Sequence, residues 1–475
     1  MFPTNHKTIF VLDHTPYFGI SSDYPIDFDV SKSRGPGYVP LPPVCKSLWT
    51  CSVEAAVEYC RIVWDLFPEG KLVRFVVSDS SAHILNTWAG TQQNLTHILN
   101  GLCLVGPVRR GAGGDVVGLC AAIEALGESS PTQTARSAID RHFQNRGRII
   151  CITSARDDDS IRSLAEIALN TLVQQNKKAS LAQPQPLVVH YCHLVIINVT
   201  PEKAKPLVNN QMGNGIMGVE VIVSPASTLA SLLGRLVLPH YRLAITTVTG
   251  IPMKEEQNAS SSANYDVEII HSAEAHAGLR FLDPRKTYWF CQVVLRWWTP
   301  RGAEGGASGC GGPLWRVTPA DVASRPSACL VNFLLNGRSV TLEVPARKGG
   351  VAGGRSASHV LAAQGGELWI GALGGRTVYD DPPALSEGAG GRVTDYRCPT
   401  LSYFPLFRLS VHRLHVALIN ESIVNLILLY KKRIHFIVSE YCIDKLIYSR
   451  PTMNVIRSFL SLSYSCKKLQ VGHRG

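Results

Sequence analysis

The chain has 475 residues, 45% of them hydrophobic and 17% charged, which allows two or three domains with their own cores and excludes a disordered chain. Its net charge of +11 is uneven: residues 398–475 carry 11 Lys and Arg against Glu421, Glu440 and Asp444, or +8, which leaves +3 for residues 1–397. A strongly basic body of the kind that binds nucleic acid by charge alone is thereby excluded, and the basic character belongs to the tail.

From the N-terminus, "TIFVLD" (8–13), "LVRFVVSD" (72–79), "RIICIT" (148–153), "LVVHYCHLVIINV" (187–199) and "LAITTVT" (243–249) read as buried strands rich in Val and Ile. Between the first two, residues 47–67 place Val53, Ala56, Val57, Cys60, Val63, Trp64 and Phe67 at helical spacing, with Ser52 or Thr50 as the expected cap. Another helix is expected from Asp159-Ser160. The series predicts a parallel sheet with helices on both faces over residues 1–250. The Ser- and Asn-rich residues 251–267 read as a linker. Residues 268–397 read as an all-β, barrel-like domain, with "YWFCQVVLRWW" (288–298) as one strand and "CLVNFLLNGRSVTLEV" as two strands joined by Asn336-Gly337. Gly-rich loops are expected at 302–312 and 347–358, and the Gly-rich filling of 302–312 and 347–375 is read as loop variation. From Cys398 the acidic residues nearly vanish and no helix or strand period remains. Residues 398–475 are expected to be a basic, poorly ordered tail, as in sequence read through past a splice junction.

Thirteen cysteines lie without a C-x-x-C pair, and no secretory signal is expected ahead of a strand at residues 8–13, so reduced thiols are expected. Four N-x-Ser/Thr matches, at Asn94, Asn198, Asn258 and Asn420, then carry no meaning. The longest apolar stretch, Ile423 to Tyr430, is far short of the ~20 residues a membrane span needs.

Few motifs carry chemistry. "RRGAGGDVVG" (109–118) fits neither G-x-G-x-x-G nor a phosphate loop ending in Lys-Ser/Thr, and reads as a surface loop. His190 and His193 fall on opposite faces of a strand and cannot share a metal unaided. No G-x-S-x-G is present, and Asp157-Asp158-Asp159 reads as acidic residues favoured by a helix N-terminus. Trp297-Trp298 offers rings that stack on bases, although neighbouring strand residues commonly pack one face each. The remaining candidate is "LDHTPYFG": a buried strand ending in Asp13, with Thr15 and Tyr17 two and four residues later, which is the layout of a hard-cation site at the carboxyl end of a sheet.

"KSLWTCSVEAAVEYCRIVWDLFP", "NRGRIICIT", "IPMKEEQNASSSANYDVE", "RPSACLVNFLLNGRSVTLE" and "DPPALSEGAGGRVTDYR" together resemble the Asunder family, Integrator complex subunit thirteen, over about residues 5–397. The resemblance implies a von Willebrand factor A-like α/β domain followed by a β-barrel, in a Ku-like arrangement. It implies a non-enzymatic scaffold of the nuclear Integrator complex, which processes small nuclear RNA and attenuates transcription. Also implied are roles in mitotic and meiotic progression and in dynein localisation at the nuclear envelope. The implied partners are homologues of Integrator subunits fourteen and ten, with dynein regulators and with RNA or DNA through a heterodimer surface; nucleic-acid binding is the alternative reading. No cofactor and no membrane insertion are expected. The implied location is nucleus and cytoplasm, including a perinuclear pool, although the family's C-terminal nuclear-localisation signal has no counterpart in residues 398–475. An ion-dependent adhesion site has Asp-x-Ser-x-Ser and a strand ending Thr-Asp-Gly. Here Tyr17 replaces the second Ser, and the strand position reads Ser154-Ala155-Arg156. Asp13, Thr15 and Tyr17 are therefore expected to be a degenerate remnant that holds no metal, with Asp13 capping the turn and Arg156 repelling a cation.

Overall fold

The computed structural model describes residues 7–26, 44–108, 115–137, 144–181, 186–208, 212–213, 216–255, 258–275, 293–297, 310–344 and 358–373. The Arg109–Gly114 loop, Trp298, most of the two Gly-rich loops and the 398–475 tail lie outside them.

Strand β1 (Lys7–Asp13) is buried along its whole length. It pairs in parallel with β4 (Leu72–Ser78) on one side and with β6 (Arg146–Thr153) on the other. Beyond β6 lie β7 (Tyr191–Thr200) and β9 (Met217–Pro225), also parallel. Short antiparallel strands close the two edges, β5 (Ala82–Ile84) beside β4 and β8 (Met212–Gly213) beside β9. The order is β5-β4-β1-β6-β7-β9-β8. A separate two-stranded ribbon joins β2 (Ser21–Pro25) to β3 (Cys45–Ser47).

The apolar strand residues alternate between two cores. Phe10, Leu12, Ile150 and Ile152 face α1 (Leu48–Leu66) and α6 (Leu229–Tyr241), while Ile9, Val11, Ile149 and Cys151 face α3 (Asp115–Gly127) and α5 (Asp158–Leu181). Sheets covered on both faces need such runs of Val and Ile. Helices α2 (Leu95–Val105) and α4 (Pro131–Ser137) complete this part. The cap of α1 is Ser47, whose hydroxyl accepts from the Thr50 amide at 3.1 Å, rather than Ser52 or Thr50. Ser52 instead donates back to the Leu48 carbonyl.

The second part is a closed barrel of order β10-β11-β13-β16-β15-β14-β12, sealed by parallel pairing of β12 (Val293–Trp297) with β10 (Leu243–Glu255). Its other strands are β11 (Asn258–Ser272), β13 (Cys310–Pro319), β14 (Ser339–Glu343), β15 (His359–Gln364) and β16 (Glu367–Leu373).

Three expectations are corrected here. Residues 243–249 are not a strand of the parallel sheet; they open the barrel, and β9, absent from the sequence reading, takes the place in the sheet. Residues 251–255 and 258–267 are not a linker, because they form the facing arms of β10 and β11, with Ile251 opposite Tyr265 and Lys254 opposite Ser262. Ladder hydrogen bonds come from the backbone, so a polar composition does not preclude them. The supposed hairpin at Asn336-Gly337 is a helix, α7 (Arg325–Leu335), followed by β14. Ser324 caps it, Pro326 sits in its first turn, and Gly337 has φ +80° just beyond the Asn336 cap. An Asn-Gly pair supplies positive φ equally to a tight hairpin and to a helix end, and Ser-x-Pro upstream is what separates the two.

The two parts share one core. Leu243 and Ile270 of the barrel belong to the same apolar cluster as Tyr59, Val63, Leu233 and Val237 from α1 and α6. All the described residues fall within one compact unit.

Candidate functional site

Asp13 ends β1 at the carboxyl edge of the sheet, where a cation would be held. It is 5% exposed, and both carboxylate oxygens are engaged internally. Oδ1 accepts from the Thr15 amide at 2.8 Å, closing an Asx-type turn, and Oδ2 accepts from the Thr153 hydroxyl at 2.8 Å. Tyr17 lies in a 3-10 turn, Pro16–Gly19, and is 41% exposed. The structure thus brings Asp13 and Thr15 together through backbone and leaves the Tyr17 ring at the surface.

The residue that faces Asp13 from β6 is Thr153, just ahead of the Ser154-Ala155-Arg156 that stands at the Thr-Asp-Gly position. Arg156 is exposed, so the carboxylate is engaged by a hydroxyl and an amide rather than guarded by a repelling cation. Close packing seals the next strand as well. Gly118 of α3 donates its amide to Ser78 Oγ at 2.9 Å, and a Cβ at Gly118 would lie 2.4 Å from that of Ser78. Asn198, at the end of β7, accepts from the Ala155 amide at 2.9 Å. The polar row at this edge is therefore held together largely by its own hydrogen bonds. Among the described residues no three His, Cys, Asp or Glu side chains are grouped to hold a metal.

The other candidates are dispersed. Asp157 accepts from the amide and hydroxyl of Ser160, which holds its carboxyl below the usual range, and Asp159 pairs with Arg162 at 2.6 Å. This is a helix-start cluster. His190 is exposed and precedes β7, where its Nδ1 accepts from the Asn145 amide. His193 instead lies between Arg148, at 3.2 Å from Nε to Nδ1, and Glu220 at 3.4 Å. The His193 hydrogen bond pulls the Glu220 carboxyl down. Arg148 is 1% exposed beside the buried phenols of Tyr59 and Tyr241, and burial pushes the Tyr241 phenol up to about 12. The Trp297 side chain, like Trp298, lies outside the described residues.

Sequence reasoning missed the polar clamp between the two parts. On α1, Arg61 bonds Glu58 and Asp65, the latter at 2.8 Å. It also donates to the Pro319 carbonyl at 2.8 Å and contacts the Thr318 hydroxyl on β13. Thr318 donates to Asp65 at 2.7 Å, and Asp65 is 6% exposed. The signal was present in "EYCRIVWD": Glu58, Arg61 and Asp65 at i, i+3 and i+7 on one helix face next to apolar positions. That face meets the barrel.

The comparisons with known proteins point one way. Residues 2–411 match the family described as "Cell cycle and development regulator Mat89Bb". The chain is 47% identical over 420 residues to Protein asunder of Drosophila willistoni, covering 84% of this chain and 61% of the relative. It is 45% identical over 438 residues to Protein asunder of Drosophila virilis, covering 86% of this chain and 63% of that one. The chain belongs to the Asunder family of cell cycle and development regulators. It spans less than two thirds of the length of these Asunder relatives, and the family match runs to residue 411 rather than stopping near 397. Among solved structures, a variant of the PilB minor pilin of Streptococcus sanguinis aligns with TM-score 0.32 and 10% identity, over 50% of this chain and 62% of the pilin. BatB of Bacteroides thetaiotaomicron aligns with TM-score 0.25 and 12% identity, over 49% of this chain and 97% of that one. Likenesses of that size carry no argument.

Proposed function

We propose that this Asunder-family chain is a non-enzymatic scaffold, with a von Willebrand factor A-type α/β part and a Ku-like barrel. In this reading it is a subunit of the Integrator complex, acting in small nuclear RNA 3′-end processing and transcription attenuation. It pairs with the subunit-fourteen homologue and joins the subunit-ten homologue. Its links to mitosis, meiosis and dynein at the nuclear envelope follow from the same assembly, and it works in nucleus and cytoplasm. The observation that supports the reading best is the single core, closed by the Arg61 clamp, that makes the α/β part and the barrel one body. A two-part body with one core presents a wide surface of fixed shape, as a scaffold needs.

The test is co-expression of the full chain with the subunit-fourteen homologue, with RNA binding measured for each alone and for the pair at low and high salt. The expected result is co-elution of the two proteins and weak RNA binding by this chain alone, because its body is near neutral. Tight RNA binding by this chain alone, falling steeply with salt, would replace the scaffold reading with a nucleic-acid-binding module.

A further inference from the structure

At the amino-terminal end of the sheet, away from Asp13, a polar row crosses three strands. Thr8 on β1 stands opposite Arg148 on β6, and Arg148 stands opposite His193 on β7. Thr8 is fully buried and Arg148 is 1% exposed. The row shares the face of Phe10, Ile150 and Val195, which α1 and α6 cover. Arg148 Nε donates to His193 Nδ1 at 3.2 Å, and this fixes the tautomer. The proton of the neutral ring sits on Nε2, 3.4 Å from Oε2 of half-exposed Glu220 on β9. The Arg148 charge also acts on the Glu220 carboxyl, adding to the pull of the His193 hydrogen bond. On its other side the guanidinium hydrogen-bonds the Tyr59 phenol. The Tyr59 oxygen lies 2.8 Å from His240 Nδ1 and is bonded to the Tyr241 phenol, whose oxygen lies 3.0 Å from Thr8 Oγ1. The His193 and His240 rings meet edge-on, with centroids 5.9 Å apart.

The inner end of this polar rod is the last turn of α6. His240 and Tyr241 close the helix, and Leu243 opens the barrel. Between them Arg242 adopts φ +57°, a left-handed conformation that a residue with a side chain holds only where its surroundings impose it. Its amide donates to the Leu238 carbonyl, and its carbonyl accepts from the Ala273 amide just beyond β11 at 2.8 Å. The chain thus passes from helix to barrel at a strained residue, and the rod fixes the two side chains just before it. A buried guanidinium is a costly way to hold a helix end, since apolar residues of similar volume commonly replace buried charges without loss of stability. What the polar rod adds is a connection from that joint to a carboxylate at the surface.

We propose that the rod is a regulatory tie between the sheet edge and the α6–β10 joint: Glu220, holding His193 and through it Arg148, keeps the joint ordered, and withdrawing that carboxylate loosens it. Without Glu220 the Nε2 proton loses its acceptor, and the ring is free to turn or to move its proton to Nδ1. Either change takes the Nδ1 lone pair away from Arg148. The guanidinium then re-forms its bonds at the expense of Tyr59 and of the helix end that Tyr59 holds. A lysine or arginine of a bound partner has the same effect when it pairs with the half-exposed carboxylate. Binding at the sheet edge is in that way felt at the barrel joint.

The test is amide hydrogen exchange on the full chain at neutral pH, read at residues 240–244 and 271–275. Residues 104–107 and 334–337, the ends of α2 and α7, serve as distant references. Glu220→Ala changes a half-exposed side chain and should speed exchange at the joint about tenfold, the effect of losing roughly one charge-assisted hydrogen bond, with the references unchanged. His193→Asn places a carbonyl oxygen near the position of Nδ1, which keeps an acceptor for Arg148 but no link to Glu220. In that background Glu220→Ala should change nothing at the joint. Three results would overturn the proposal: no change in Glu220→Ala, an equal rise in the references, or a response that persists in the His193→Asn background. Ring-nitrogen NMR of the unmodified chain gives a check that needs no variant. His193 should carry its proton on Nε2 at neutral pH, and a proton on Nδ1 would contradict the tie.

Discussion

Arg61→Ala is expected to destabilise the protein by about 2–4 kcal/mol, below the ~3–5 kcal/mol typical of removing one partner from a fully buried ion pair because the Arg61 side chain is partly exposed. The change takes the guanidinium away from buried Asp65, which keeps its bond from the Thr318 hydroxyl, and removes the donor to the Pro319 carbonyl. Because the clamp joins α1 to β13, the loss should be felt by the α/β part and the barrel together. In urea titrations, tryptophan fluorescence and far-ultraviolet circular dichroism should shift to the same lower midpoint. The double change Arg61→Ala with Asp65→Ala should cost less than the sum of the two single changes, since both single changes already lose the same ion pair. Separate transitions, or additive costs, would mean that the clamp does not couple the two parts.

The second large effect concerns Lys7, fully buried at the start of β1. Its ammonium reaches the Leu126 carbonyl at 3.1 Å and the Glu128 carbonyl, at the end of α3, and lies over the Trp88 ring. Burial lowers its pKa from 10.5 to about 7, with nearby Arg74 adding to the fall and Glu128 opposing it. The sign follows from proton counting. Between about pH 7 and 10.5 the unfolded chain binds a proton on Lys7 that the folded chain does not, so this residue makes stability rise with pH across that window. Below pH 7 both states are protonated and the full burial penalty remains. The penalty converts to at most about 5 kcal/mol, before any relaxation around the charge. In Lys7→Met the penalty is gone and Leu126 keeps its bond from Asn145 at 2.9 Å. The variant should therefore be more stable than the parent near pH 6, with the gap closing as pH rises toward 9. The comparison isolates Lys7 because buried Cys60, Cys192, Tyr59 and Tyr241 act alike in both proteins. A gap that does not change with pH would refute the account of Lys7.

Periodicity made the α/β part largely legible. "KTIFVLD" and "RIICIT" carry the unbroken apolar runs Ile9–Leu12 and Ile149–Ile152 that strands buried on both faces need, and α1 follows its 3.6-residue spacing. Strand β9 was missed because "MGVEVIVSP" sits between Gly-rich and Pro-containing segments and near the sheet edge, where its residues are only half buried. The barrel was less legible. Its longest hairpin, β10 with β11, runs through "MKEEQNASSSANYD", where backbone pairing is blind to composition. Helix α7 looked like strands because Cys329, Val331, Phe333 and Leu335 satisfy a short alternating pattern, while Leu330, Val331 and Leu334 fit the helical one.

At the candidate site, the step from Asp13 to Thr15 was visible in the chain, but the Thr153 partner 140 residues away was not. Local sequence also hid the contacts of His14. A lone histidine after a strand carries no pattern, and its partners at Trp49, Asp79 and Gly106 come together only through the fold.

The carboxyl edge of the sheet is held closed by its own hydrogen bonds, with Asp13 spent on Thr15 and Thr153, and under the proposed scaffold reading partner assembly needs no cation there. The most direct test is size-exclusion chromatography of the full chain co-expressed with the subunit-fourteen homologue, in EDTA and in Mg²⁺. One complex of the same size and yield in both buffers is the expected result. A complex that forms only with Mg²⁺ would contradict the account and make Asp13 a working metal ligand.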